Sequence, residues 1–158
     1  MKVLAFAASS SRTSINKALV SYAGQMLVGG IIENAEVEVI DLNDYEMPLY
    51  SVDREKESGI PELAHQFYQK IGEADALLIS FAEHNSLYTV AYKNLFDWAS
   101  RITKQFYQDK PAVLLATSPG GRGAKTVLEF PSKYVGVVRC HFNGSGKVLR
   151  NFFSKIDF

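Results

Sequence analysis

Short apolar runs alternate with helix-patterned segments along the whole sequence, and few folds accommodate that alternation. The runs cover residues 3–8, 36–41, 75–81, 111–117 and 135–142. Residues 3–8 and 75–81 are nearly continuous in apolar side chains, as expected for strands covered on both faces. Between the first two runs, Ile15, Ala18, Leu19, Tyr22, Ala23, Met26 and Leu27 recur at the spacing that gathers them on one helical face. Thr13 or Ser14 can cap that helix and Gly29-Gly30 can end it. Residues 42–60 read as a long irregular, charged stretch. A helix then starts with Pro61 in its first turn and buries Leu63, Ala64, Phe67 and Ile71, with Gly72 weakening its end. Residues 90–103 set Ala91, Leu95, Trp98, Ala99 and Ile102 on one face. A short helix from Ala124 should stop near Phe130, because Pro131 lacks an amide donor.

Parallel neighbours need right-handed crossovers, so this order predicts an α/β fold with three layers. The expected core is a doubly wound, five-stranded parallel sheet of order 2-1-3-4-5, formed by one domain over residues 1–158. Ligands of such sheets bind beyond the carboxyl ends of the strands, at the switch point between strands one and three. That rule points to the loops after Ala8, Phe81 and Thr117, where the unusual residues lie.

Composition narrows the function. Lys plus Arg equals 17 and Asp plus Glu equals 17, so there is no basic field for nucleic acid or an anionic membrane. No stretch approaches the roughly 20 apolar residues needed to span a bilayer. The single cysteine, Cys140, cannot form an internal disulfide and reads as a strand-core residue of a cytoplasmic protein. His65, His84 and His141 are scattered, without metal-ligand spacing.

The first loop, Ser9-Ser10-Ser11-Arg12-Thr13-Ser14-Ile15-Asn16, offers hydroxyls, an amide and a guanidinium beside a helix start. It suits a phosphate, and suits equally well a plain capping turn. The second, Ala82-Glu83-His84-Asn85-Ser86-Leu87-Tyr88-Thr89, could meet a flat heterocycle with polar groups and one aromatic ring, or be a solvated connection. The third, Ser118-Pro119-Gly120-Gly121-Arg122-Gly123, would let backbone N–H groups approach a ligand closely. Neither a P-loop nor a G-x-G-x-x-G motif is present.

Taken together these segments resemble the NADPH-dependent FMN reductase family of flavodoxin-like proteins, with its azo-, quinone- and chromate-reducing members. The first loop is similar to the family's G-S-x-R-x-x-S-x-N, and Met47-Pro48-Leu49-Tyr50 to its L-P-L-Y. Glu83-His84-Asn85-Ser86 followed by Lys93-Asn94-Leu95-Phe96-Asp97-Trp98-Ala99-Ser100-Arg101 is similar to P-E-Y-N-x-S…L-K-N-A-I-D-W-x-S-R. Ser118-Pro119-Gly120-Gly121 resembles S-P-G-G. Ala82 and His84 replace the usual proline and tyrosine, the first loop is a residue shorter, and the end at Phe158 leaves little room for the fold's last helix.

The resemblance implies FMN as cofactor and NAD(P)H as cosubstrate. Their ping-pong hydride transfer would reduce a small acceptor: a quinone, azo compound, free flavin or metal oxyanion. It implies that Ser9, Ser10, Arg12, Ser14, Ile15 and Asn16 hold the phosphate. Glu83, His84, Asn85, Ser86, Leu87 and Tyr88 would face one side of the flavin, and Ser118, Pro119, Gly120 and Gly121 its pyrimidine edge. No side chain is required as acid, base or nucleophile, and a homodimer with the flavin near the subunit boundary is the expected assembly. A flavodoxin-type electron carrier is the rival, though such carriers are usually acidic. A receiver-like domain would need aspartates where Ser9-Ser10 and Ala82-Glu83 stand.

Overall fold

The computed structural model describes residues 1–120 and 123–129, and the backbone alone of 137–143. Its centre is a parallel sheet in which β1 (Lys2–Ala8) lies between β2 (Glu36–Ile40) and β3 (Ala76–Phe81), with β6 (Ala112–Ser118) beyond β3. The register sets Phe6 beside Ile40 on one side and Ile79 on the other, and Ile79 beside Leu114. The four apolar runs up to residue 117 thus become strands within a residue or two of expectation.

Because side chains alternate across a strand, the sheet feeds two cores. Leu4, Phe6, Leu77, Ile79, Phe81 and Leu114 pack with Phe67 and Ile71 of α3 (Glu62–Glu73) and with Leu95 and Trp98 of α4 (Val90–Ile102). Val3, Ala5, Leu78, Val113 and Leu115 pack on the other side with Val20, Ala23 and Leu27 from α1 (Ile15–Met26) and the turn after it. Gly30, at φ 117°, breaks the helical path within that turn (Leu27–Ile31) in a conformation few other residues adopt.

The buried face of α1 differs from the one its apolar spacing suggests. Asn16, Val20, Ala23 and Gly24 are inside, whereas Ile15 and Tyr22 are exposed. Size decides this: a Cβ on Gly24 would lie 3.0 Å from Val37 Cγ1, so the helix approaches the sheet through its small residues. Hydrophobic periodicity carries no information about that closeness.

Residues 42–60 are also more regular than their composition suggests. A 3-10 turn (Leu42–Tyr45) and a helix, α2 (Val52–Ser58), occupy them. The α2 helix buries none of its residues, so it has no apolar stripe to betray it. Ser51 caps it, accepting a hydrogen bond from Arg54 N at 3.2 Å. Pro61 is the N-cap of α3 rather than inside its first turn, and the helix expected from Ala124 is a 3-10 turn over Thr126–Glu129. Phe130, Pro131, the Cys140 side chain and the chain end lie outside the described residues.

An ion pair links α1 to the end of β2: Lys17 Nζ donates to Asp41, whose Oδ1 also accepts from Asn43 N at 3.0 Å. The lysine, then the Asn43 amide, hold the Asp41 carboxyl below its ordinary value. A carboxyl with a lowered folded-state pKa contributes stability above its unfolded value, near 3.9, and loses it as pH falls through the folded one. Urea titrations should therefore show wild type and Asp41→Asn converging in stability from about pH 5 to about pH 2. A gap that stays constant would mean that this pair contributes no pH-dependent stability.

Candidate functional site

The first loop leaves β1 through Ser9, whose N–H donates to Ala7 O at 2.8 Å and whose Oγ accepts from Ser11 N at 3.2 Å. Ser14, not Thr13, caps α1: its Oγ accepts from Asn16 N at 3.2 Å and Lys17 N at 3.4 Å. The backbone N–H groups of Ser10, Arg12, Thr13 and Ile15 have no acceptor among the described residues. Arg12 is exposed, with no carboxylate partner among them either. Four donors, a guanidinium and a helix start make a place for a phosphate, as the dipole and open amides of a helix N-terminus favour anions. The Ser14 hydroxyl, though accepting twice, keeps its own proton to donate.

The Asn16 side chain is engaged within the protein. It is 2% exposed, its Oδ1 accepts from Ser80 Oγ at 2.8 Å and Thr117 N at 3.1 Å, and its Nδ2 donates to Thr117 O at 3.0 Å. The side chain thus ties α1 to the ends of β3 and β6, holding the first and third loops in fixed relation.

The second loop is a small hairpin, with β4 (Glu83–His84) antiparallel to β5 (Leu87–Tyr88). Asn85 and Ser86 take φ of 53° and 66°, the double positive φ of a type I′ turn. His84 and Asn85 are exposed, as is Leu87, while Ser86 and Tyr88 are half-buried. Glu83 turns inward, Oε2 accepting from Val127 N at 2.9 Å, so its carboxylate anchors the hairpin to the turn after the third loop. Thr89, which sequence reasoning placed in the loop without a role, is buried. Its hydroxyl donates to Ala8 O at 3.1 Å and accepts from Tyr92 N at 3.2 Å, capping α4 while joining the second loop to the first. Thr directly before a helical pattern was the available signal.

The third loop begins with Ser118 half-buried and Pro119 and Gly120 exposed, and turns at Gly123, whose N–H donates to Gly120 O at 3.0 Å. Gly121 and Arg122 lie outside the described residues. The three loops therefore meet at the strand ends, cross-linked by Asn16, Glu83 and Thr89. Among the described residues no cluster of metal-ligating side chains occurs, and no helix is long and apolar enough to cross a membrane.

The Lys93-to-Arg101 segment supplies no loop at all; it holds a neighbouring arm, residues 47–58. Asn94 Nδ2 donates to Met47 O at 3.0 Å and Pro48 O at 3.1 Å, and its Oδ1 accepts from Tyr50 N at 2.8 Å. Trp98 Nε1 donates to Pro48 O at 2.7 Å, and its ring meets that of Tyr50 edge-on at 5.0 Å. One turn on, Arg101 Nε donates to both carboxylate oxygens of Glu55, at 2.9 and 3.0 Å, and Tyr50 OH donates to Glu55 Oε2 at 3.0 Å. The arginine chiefly holds the Glu55 carboxyl below its ordinary value.

A parallel sheet with β1 between β2 and β3 and helices on both faces is the arrangement of a flavodoxin-like fold. The NADPH-dependent FMN reductase family matches residues 1–153, and the chain belongs to that family. It is 30% identical to an NADPH:quinone oxidoreductase of Arabidopsis thaliana, over 97% of this chain and 76% of the relative. It is 33% identical to a 2-hydroxy-1,4-benzoquinone reductase of a Burkholderia species, over 99% of this chain and 82% of the relative. Among solved structures it is similar to FerB, a flavoenzyme NAD(P)H:(acceptor) oxidoreductase from Paracoccus denitrificans. There the TM-score is 0.66 and the identity 30%, over 87% of this chain and 74% of that one. Family membership brings FMN as the bound group and NAD(P)H as electron donor.

Proposed function

We propose that the protein is an NAD(P)H-dependent FMN oxidoreductase whose acceptor is a quinone. The observation that carries this reading is the helix start at the switch point, with four backbone N–H groups and Arg12 open to a phosphate. When bound, FMN supplies the two-electron chemistry between nicotinamide and acceptor. The net reaction consumes NAD(P)H, a proton and a quinone, and yields NAD(P)+ and a hydroquinone.

The chain's own residues bind, orient and exclude water. The phosphate would rest on the amides of Ser10, Arg12, Thr13 and Ile15, on the Arg12 guanidinium and on the Ser14 hydroxyl. Ser9 and Asn16 set the shape of that loop from beneath. His84, Asn85, Ser86, Leu87 and Tyr88 would flank the ring, with Glu83 anchoring their hairpin through Val127 N. Ser118, Pro119 and Gly120, with Gly121 beyond the described residues, are the family-based candidates for the pyrimidine edge, where backbone donors would stabilise developing negative charge. The relatives named as NAD(P)H-dependent reductases count against a carrier that does not use nicotinamide.

The same reading takes residues 1–158 as one five-stranded domain of order 2-1-3-4-5. It is supported by the backbone of β7 (Val137–Asn143), which runs parallel to β6 with Ala112 beside Val137. A cytoplasmic homodimer completes it. Anaerobic addition of NADPH or NADH should bleach the bound flavin within the mixing time of a manual experiment. Bleaching by dithionite alone would favour the electron carrier, and a colourless protein that ignores added FMN would sink both.

A further inference from the structure

The sheet parts at its carboxyl end. β3 pairs with β6 from Leu77 beside Ala112 to Phe81 beside Ala116, whereas β6 runs on to Ser118. Thr117 therefore lies one residue past the last paired position. Pro111 O accepts from Leu77 N at 2.9 Å, and Thr117, six residues on, presents its own N–H and C=O toward the same side, since a strand repeats every two residues. With β3 turned away into the hairpin, these two groups need other partners.

Asn16 supplies them. Its Oδ1 accepts from Thr117 N and its Nδ2 donates to Thr117 O. A side-chain amide carries the donor and the acceptor of a peptide unit, and here it stands where a neighbouring strand would. Only one orientation of the amide satisfies both bonds, because a backbone N–H can only donate and a carbonyl can only accept. The buried Ser80 hydroxyl, reaching Oδ1 from β3, holds the same orientation from the other side. The spacer between the two strands thus belongs to the first turn of α1, two residues after the capping Ser14.

We propose that Asn16 is a positioning residue for the ring half of the cofactor. Acting as a surrogate strand, it fixes Thr117, and with it the start of the third loop, at a set distance from β3 and in register with the phosphate loop. The inference rests on the proposed oxidoreductase function and deepens it. It gives α1 a part in holding the reduced ring as well as the phosphate. Donors already in place favour the charge that arrives on reduction, so a displaced Thr117 weakens the reduced flavin more than the oxidised one.

The test compares Ser80→Ala with the double variant Asn16→Leu/Ser80→Ala, under conditions where circular dichroism shows both folded. Both lack the Ser80 bond, and only the double variant lacks the two to Thr117. Riboflavin, having no phosphate, reads the ring half alone. The double variant should bind it about tenfold more weakly than Ser80→Ala does, the equivalent of one hydrogen bond. It should also lose about tenfold more affinity for reduced than for oxidised FMN, which lowers the two-electron midpoint potential by about 30 mV. Ser80→Ala should keep the wild-type values of both. A folded double variant that matches Ser80→Ala in riboflavin affinity and potential would overturn the assignment, because a purely structural asparagine would move the melting temperature alone. A second measurement needs no variant: in the wild-type apoprotein the Thr117 amide should exchange with solvent as slowly as those of Leu114 and Leu115. Exchange at the rate of an open loop amide would overturn the assignment as well. Wild type that binds neither riboflavin nor FMN would instead overturn the oxidoreductase reading, and this inference with it.

Discussion

Stripped of its cofactor, the protein should bind FMN about a thousandfold more tightly than riboflavin, because the two differ only by the phosphate. A hydrogen bond to a charged group contributes about 1.5–3 kcal/mol, and about 1.4 kcal/mol is a factor of ten. The loop offers the N–H groups of Ser10, Arg12, Thr13 and Ile15 without competing acceptors among the described residues. Three such bonds at the low end already exceed about 4 kcal/mol. Arg12→Ala should weaken FMN by about tenfold or more while leaving riboflavin untouched, since the guanidinium acts only on the charge. Ser14→Ala is a different experiment: that hydroxyl caps α1, so the variant should also lose about 1 kcal/mol of stability. Fluorescence titration of both flavins reads all of this, and equal affinities would show that the first loop is a capping turn and nothing more.

Asn16→Leu should be the most destabilising single change near the site, costing about 3–4 kcal/mol. It removes three hydrogen bonds and leaves the Ser80 hydroxyl, which is wholly buried, without the acceptor it has in Asn16 Oδ1. For a domain of this size that corresponds to a fall in Tm of about 10 °C. Adding Ser80→Ala should recover about 1 kcal/mol, because an apolar pair avoids the orphaned hydroxyl that the single variant creates. Urea unfolding of the four proteins closes the cycle. A loss below about 1 kcal/mol for Asn16→Leu would mean that the bonds are not made in solution.

The parts of the fold that could be read from sequence share one property: a strand or helix whose apolar pattern matches what it buries. β1, β3 and β6 are covered on both faces, so their runs are unbroken. The buried side of α3 repeats at the right interval through Ala64, Phe67 and Ile71. Where selection is by size, as at Gly24 against Val37, or where a helix is stitched down by polar bonds, as α2 is, hydrophobicity is silent. The site shows the same division. The loops and the capping serine follow from local rules, since a helix start needs donors satisfied and a strand end needs a turn. The inward turn of Asn16 and Glu83 does not, because their partners, Ser80, Thr117 and Val127, come from elements far along the chain. The Lys93-to-Arg101 resemblance is specific, yet only the structure shows that its Asn94, Trp98 and Arg101 address an arm instead of a cofactor.

Ala8, Ser80 and Thr117 sit at the ends of three neighbouring strands, and Thr89 and Asn16 bond to all three. The proposed site would therefore be part of the sheet's rim, its described loops held by bonds that belong to the fold itself. Loops held in that way would leave less ordering entropy to oppose a cofactor. Preorganisation also binds the two equilibria together: a ligand gripping these loops grips the strand termini, so its affinity is returned as resistance of the whole domain to unfolding.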